Sequence, residues 1–164
     1  MGEGGADSIN ALIGLLSNAT PAGAVQGSLE MTLDGGEGND VVTSTLRNVS
    51  LNGRTGINLQ GGSGNDSMRQ VLDMVTVNAT LDLNVGGGIG DDMLMLLNAA
   101  EPRTDVAMPP TLLVNGHARL NIQGDAGNNR LLGLIQPCIM PAGSLDMIFS
   151  GGGGNDVITL LLGL

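Results

Sequence analysis

The chain has 164 residues, a net charge of −10 and a single aromatic residue, Phe149. Sixteen Asp and Glu stand against six Arg, with no Lys, so neither a basic stripe for phosphates nor aromatic platforms for bases exists, which argues against a nucleic-acid partner. Twenty-eight glycines would suggest low complexity, but 41% apolar residues placed in register with them indicate one folded domain over 1–164.

Along the chain, a hexapeptide close to Gly-Gly-x-Gly-Asn-Asp returns. A faint copy, GEGGAD (2–7), opens the chain; GGEGND (35–40), GGSGND (61–66), GGIGDD (87–92), GDAGNN (124–129) and GGGGND (151–156) follow. From Gly35 to Gly61, Gly87, Gly124 and Gly151 the intervals are 26, 26, 37 and 27 residues. A recurrence of this size predicts one supersecondary unit stacked on the next. Nine of the sixteen acids lie in or beside these loops (Asp7, Asp34, Glu37, Asp40, Asp66, Asp91, Asp92, Asp125 and Asp156).

Before each loop, apolar residues alternate with mostly polar ones: Leu29/Met31/Leu33, Ile57/Leu59, Leu81/Leu83/Val85, Leu120/Ile122 and Leu145/Met147/Phe149. Two places after each loop stands an apolar residue: Ile9, Val42, Met68, Leu94, Leu131 and Ile158. A third ladder, Val49/Leu51, Val75/Val77 and Leu112/Val114, runs into Asn52-Gly53, Asn78-Ala79 and Asn115-Gly116, where Asn and Gly supply a turn tolerant of positive φ. Each unit therefore reads as three short strands with a glycine-rich acidic corner and an Asn turn. The fold expected is all-β: a parallel β-helix or β-solenoid of five to six coils, about 26 residues each, roughly 25 Å long. The interval of 37 places an insertion at about 98–111, whose three prolines cannot supply strand hydrogen bonds and should loop out.

Glycine at three of six positions lets backbone carbonyls turn toward one point, while the terminal Asp adds a carboxylate. Such a loop is half of a hard-cation site. Stacked about 4.8 Å apart, Asp40, Asp66 and Asp92 would repel by about 3 kcal/mol per pair at an effective dielectric near 20. A divalent cation between loops would neutralise them, and Ca2+ suits a carbonyl-rich cage better than Mg2+. In the alternative reading, Asn39, Asn65, Asn128 and Asn155 form an inward amide ladder and the Asp residues are solvated corners. Arg47, Arg54 and Arg69 are expected to be surface partners of Asp34 and Glu37.

GGEGNDVVT, GGSGNDSMR, GGIGDDMLM and GGGGNDVIT fill every defined position of Gly-Gly-x-Gly-x-Asp-x-apolar-x, and in this the chain resembles the glycine-rich repeat of RTX (hemolysin-type) proteins. The resemblance implies a secreted bacterial protein whose parallel strands fold around Ca2+ held between successive loops. Carried onto this chain, the metal residues are Gly35, Gly36, Gly38 and Asp40; Gly61, Gly62, Gly64 and Asp66; Gly87, Gly88, Gly90 and Asp92; Gly124, Gly127 and Asn129; and Gly151, Gly152, Gly154 and Asp156. In the family the nonapeptide runs in direct tandem, whereas here one copy occurs per unit, so one calcium column is expected in place of two. Asp125 and Asn129 depart from the pattern and should weaken the fourth site.

Function follows as a calcium-binding extracellular or cell-surface module with a structural or adhesive role. A self-assembling filament subunit and a polysaccharide-binding accessory module are the alternatives. No enzyme is expected, because His117 sits in a turn with no nucleophile assignable to it from sequence. Cys138 is the only cysteine, which leaves it no internal disulfide partner and reads as a buried apolar side chain. No run is long and apolar enough for a membrane helix. The N-terminus lacks the basic stretch of a signal peptide, so export is expected by another route, or the chain is an excised piece.

Overall fold

A computed structural model describes residues 2–14, 23–98 and 112–163. The described chain is all-β. In order its strands are β1 (Ser8–Gly14), β2 (Gly23–Val25), β3 (Leu29–Glu37), β4 (Val41–Leu51), β5 (Thr55–Ser63), β6 (Ser67–Val77) and β7 (Thr80–Ile89), then β8 (Met93–Leu97), β9 (Leu112–Val114), β10 (His117–Gln123), β11 (Arg130–Ile135), β12 (Cys138–Ile139), β13 (Ser144–Ser150) and β14 (Val157–Leu162). They form two sheets, and every strand pairing is parallel. One sheet has five strands in the order β13-β10-β7-β5-β3. The other runs β1-β4-β6-β8-β11-β14, with β2 added beside β4 and β9 between β6 and β12.

Register follows the apolar columns. Ile9, Val42, Met68, Leu94, Leu131 and Ile158, singled out by their place after the loop, are partners in one row across six strands. In the five-stranded sheet, Leu33, Leu59, Val85, Ile122 and Phe149 form another row. The inward members of both sheets meet in a single core, in which Val42, Leu59, Met68, Leu83, Leu94 and Leu120 are fully buried. Period-two alternation specifies this register, since a slip of one residue would send each apolar row to solvent.

The second and third expected strands of a unit are one strand in β4 and β6. A single residue at positive φ, Asn48 (46°) or Met74 (53°), bends each of them. In β4 the inward alternation Val42, Ser44, Leu46 changes phase there, so that Asn48 and Val49 are both buried. This is the effect of a bulge, which inserts one residue and turns the strand without breaking it.

At the Asn corners, Asn78 Nδ2 donates to Asn52 Oδ1 at 2.7 Å and Asn115 Nδ2 to Asn78 Oδ1 at 2.9 Å, an amide ladder on the outside of the stack. Gly53 and Gly116 are not at positive φ, contrary to the expectation for an Asn-Gly turn. Their need for glycine is spatial, because an added Cβ would run into Gly27 O and Ala79 O of the preceding segment.

The insertion expected at 98–111 lies outside the described residues except for Asn98. That side chain is buried, accepting from Gln136 N and donating to Pro137 O, both at 2.8 Å. The arginine partners also differ from expectation. Arg47 pairs with its register neighbour Asp73 (2.8 Å), a fully buried carboxylate, and Arg54 with Asp82 (3.3 Å) and Glu30 (3.7 Å).

Gly133 stands inward in β11, in register with Leu96 and Leu160, opposite the only aromatic ring. A Cβ there would lie 2.6 Å from Phe149 Cζ and 2.7 Å from Leu160 Cδ1. Gly133→Ala should therefore destabilise by about 1–3 kcal/mol through overpacking, and Phe149→Leu in the same chain should recover part of the loss. Thermal melts of the parent chain and the two variants decide this, and an unchanged melting temperature for Gly133→Ala would refute the packing.

Candidate functional site

The glycine-rich loops join the two sheets on one side and stack directly. Gly38 N donates to Ser63 O, Gly64 N to Ile89 O, Gly90 N to Ala126 O and Gly127 N to Gly153 O, each at 2.8 Å. The weak first copy joins them, with Gly5 N donating to Glu37 O at 2.8 Å. All the residues expected at the site thus come together in one column.

Within each loop the glycines serve two different ends. The second and fourth positions (Gly36, Gly38, Gly62, Gly64, Gly88, Gly90, Gly152 and Gly154, with Gly127 in the altered loop) have φ between 92° and 144°, where a Cβ is strained. The first positions, Gly35, Gly61, Gly87, Gly124 and Gly151, are buried and lie against the loop's own terminal side chain. A Cβ on Gly35 would sit 2.5 Å from Asp40 Oδ2 and collide with Gly61 O.

The terminal Asp residues point inward. Asp40, Asp66 and Asp92 are between 1% and 3% exposed, whereas Asn39, Asn65, Asn128 and Asn155 are on the surface. The alternative of inward amides and solvated acids is thereby reversed. Each buried carboxylate accepts the backbone N–H of the preceding loop's terminal residue through Oδ1. Asp7 N reaches Asp40 at 2.7 Å, Asp40 N reaches Asp66 at 2.8 Å and Asp66 N reaches Asp92 at 2.8 Å. Asn129 keeps the same ladder, accepting from Asp92 N and donating its own N–H to Asp156 Oδ1, both at 2.9 Å. A second ladder runs the other way on the surface. Asn65 N donates back to Asn39 Oδ1 (2.7 Å), Asp91 N to Asn65 Oδ1 (2.9 Å) and Asn128 N to Asp91 Oδ1 (2.7 Å).

The second carboxylate oxygen is the unsettled atom. Oδ2 of Asp7, Asp40, Asp66 and Asp92 is buried with no hydrogen-bond partner. What belongs there is shown by the altered loop, where Asn129 Nδ2 donates to Gly151 O at 3.2 Å and more weakly to Gly127 O at 3.4 Å. An electropositive group therefore suits the position that Oδ2 takes in the other loops, so the residues fit a hard cation there. Among the described residues no group of three or more His, Cys, Asp or Glu side chains converges, so carbonyl oxygens and water would have to complete its coordination. Asp7 enters the column despite its irregular loop, because the backbone register carries it there.

Burial raises the pKa of Asp66, against the Asp40 N–H bond, which lowers it; the Asp40 charge adds to the rise. For Asp92, burial, opposed by the Asp66 N–H and reinforced by the charges of Asp66, Asp125 and Asp91, raises it from 3.8 to about 6. Folded Asp92 therefore holds its proton more tightly than unfolded Asp92. The stability this confers is complete below about pH 3.8 and is lost as pH rises through about 6. In EDTA, raising pH from about 4 to 7 should lower stability by about 2 kcal/mol through this residue. Asp92→Asn should flatten that slope in pH-dependent melts.

One constellation was invisible in the linear sequence. His117 and Ser144 are register partners on β10 and β13, with Nδ1 and Oγ 2.7 Å apart, and Asp146 Oδ2 is 3.7 Å from Nε2. Ser144 and Asp146 share a face of β13 as residues i and i+2. At 3.7 Å, and with Asp146 57% exposed, the carboxylate does not hold the imidazole as an activated triad requires.

No family model matches this chain, and comparisons with curated proteins and with solved structures give no match.

Proposed function

We propose that the chain is a β-solenoid of five to six coils, about 26 residues each. Its glycine-rich corners hold Ca2+ along one carboxylate column, and it serves as an extracellular structural or adhesive module. The observation that carries this reading is the row of buried, unpartnered Oδ2 atoms on Asp40, Asp66 and Asp92, aligned by the Oδ1 ladder. Ca2+ would supply the positive charge that lets this row stay ionised inside the fold. The ligands would be those carboxylates and Asp156, with carbonyls of Gly35–Gly38, Gly61–Gly64, Gly87–Gly90 and Gly151–Gly154 loops, and a weaker place at Asn129. Support for the period comes from the register, in which Val41 pairs with Ser67 and Ser67 with Met93, each 26 residues on. The extracellular setting rests on the resemblance to RTX repeats, and binding in place of catalysis on the open geometry around His117.

Melting with Ca2+ and with EDTA tests the metal. A site saturated 100-fold above its Kd should add about 2.7 kcal/mol, and Asp66→Ala should remove more of the shift than Asp156→Ala, because among the described residues Asp66 has a neighbouring loop on both sides and Asp156 on one. Equal melts with and without the metal would end the calcium reading.

A second reading, end-to-end assembly, is favoured by β14. All six of its residues are exposed, including Val157, Ile158, Leu160, Leu161 and Leu162, and no described strand lies beyond it. Ser8, Val41, Ser67, Met93, Arg130 and Val157 occupy one row, so a second copy placing Ser8 on Val157 would continue both sheet and carboxylate ladder. Light scattering should then show particles that grow with concentration and shrink on Val157→Lys; a concentration-independent monomer would reject it.

A further inference from the structure

On the outer face of the five-stranded sheet lies a groove of about 430 Å3, lined by none of the column carboxylates but bordered by Gly62, Gly88 and Asp125 of the corners. Its origin is legible in the rows. Gln60, Gly86 and Gln123 are register partners, so β7 lacks a side chain where both neighbours rise as walls, and the partnered Gly62 and Gly88 extend the bare floor. Along one side runs a row of amides, Asn58, Asn84 and Asn121.

These amides differ from those at the Asn52 corner. There both successive pairs are hydrogen-bonded, at 2.7 and 2.9 Å. Here Asn121 Nδ2 reaches Asn84 Oδ1 at a long 3.3 Å, no bond joins Asn84 to Asn58, and Asn121 Oδ1 is buried without any partner. The Nδ2 groups of Asn58 and Asn84 thus remain unspent on the groove.

Asp125 completes the groove and is a departure from the repeat. Gly62, Gly88 and Gly152, the glycines at the same loop position, all have positive φ, and Asp125 keeps that conformation at 67° despite its side chain. A Cβ on Gly86 would lie 3.3 Å from Asp125 Oδ2, so the carboxylate leans over the bare floor. A residue held in a conformation better suited to glycine, with its charged group over a concave polar floor, has the character of a functional position.

We propose that this groove binds a neutral polysaccharide, its hydroxyls hydrogen-bonded by Asn58, Asn84, Asn121 and the Asp125 carboxylate. The amides recur at the strand spacing, so the glycan would run across β5, β7 and β10, a span of about 10 Å that takes roughly two sugar units. Recognition by hydrogen bonds suits a surface whose only aromatic, Phe149, faces the core. The carboxylate and the net charge of −10 select an uncharged glycan over a polyuronate.

Gly62 and Gly88 belong to corners proposed to hold Ca2+, so the titrations are run in both Ca2+ and EDTA on the full chain, which separates the two readings. Cellohexaose, laminarihexaose, maltohexaose and mannohexaose are the neutral probes, with polygalacturonate as the anionic one, read by calorimetry and by side-chain amide NMR shifts. At least one neutral hexasaccharide should saturate and shift the Asn84 and Asn121 amide signals. Asp125→Gly, which restores the glycine of the sister loops, should weaken binding about tenfold while leaving the melting temperature unchanged or higher. Asn84→Ala should weaken it as well. Absence of saturation by every neutral probe, undiminished binding by Asp125→Gly, or preference for polygalacturonate would overturn the proposal. A melt that ignores Ca2+ would overturn the metal reading and leave this one intact.

Discussion

In each glycine-rich corner, a carbonyl oxygen of the adjoining corner occupies space that a side chain would need. Gly62 meets Gly36 O, Gly88 meets Gly62 O and Gly64 meets Gly38 O in this way. Parallel strands set the spacing of the stack at about 4.8 Å, and the corners must conform to it if both sheets are to stay in register. Glycine is what permits such an approach, and the loop-to-loop N–H to carbonyl bonds then replace the side-chain contacts it forgoes. From that close stack follow the apolar rows, the aligned amides and the aligned acids alike.

Inward acids are the costly consequence. A buried carboxylate is tolerated when its oxygens are hydrogen-bonded or its charge is neutralised. One oxygen of Asp40, Asp66 and Asp92 meets the first condition through the N–H of the preceding loop. For the other, the Asn129 loop shows the solution that polypeptide alone can provide, an amide N–H aimed at a glycine carbonyl. Asp at the same place exchanges that self-sufficiency for dependence on a proton or a cation.

The same loop carries the other departure, and the two face different ways, although the Asp125 charge still adds to the rise at Asp92. Asn129 points into the column and Asp125 out over the groove of the five-stranded sheet. Repetition makes such a division possible. Once the neighbouring corners maintain the register, a single loop has freedom to vary on either face.

Much of the fold was legible in the sequence, because strand burial and the repeat write themselves into residue order. The column Ile9, Val42, Met68, Leu94, Leu131 and Ile158 was visible by counting from the loop, and all six are register partners. The glycine corners and their stacking were visible for the same reason. Tertiary structure decided which of two adjacent polar residues turned inward. Asn65 and Asp66 are neighbours with similar side chains, and the pleat of the strand that follows, anchored by Met68 in the core, buries the Asp. It decided that β4 and β6 run on through Asn48 and Met74, since a positive φ at a non-glycine residue leaves no compositional mark. It also assembled the amide row and the leaning Asp125 from three strands. Period and apolar phase are properties of one chain, whereas the direction of a side chain at a corner and the company it keeps across strands depend on segments brought together only by folding.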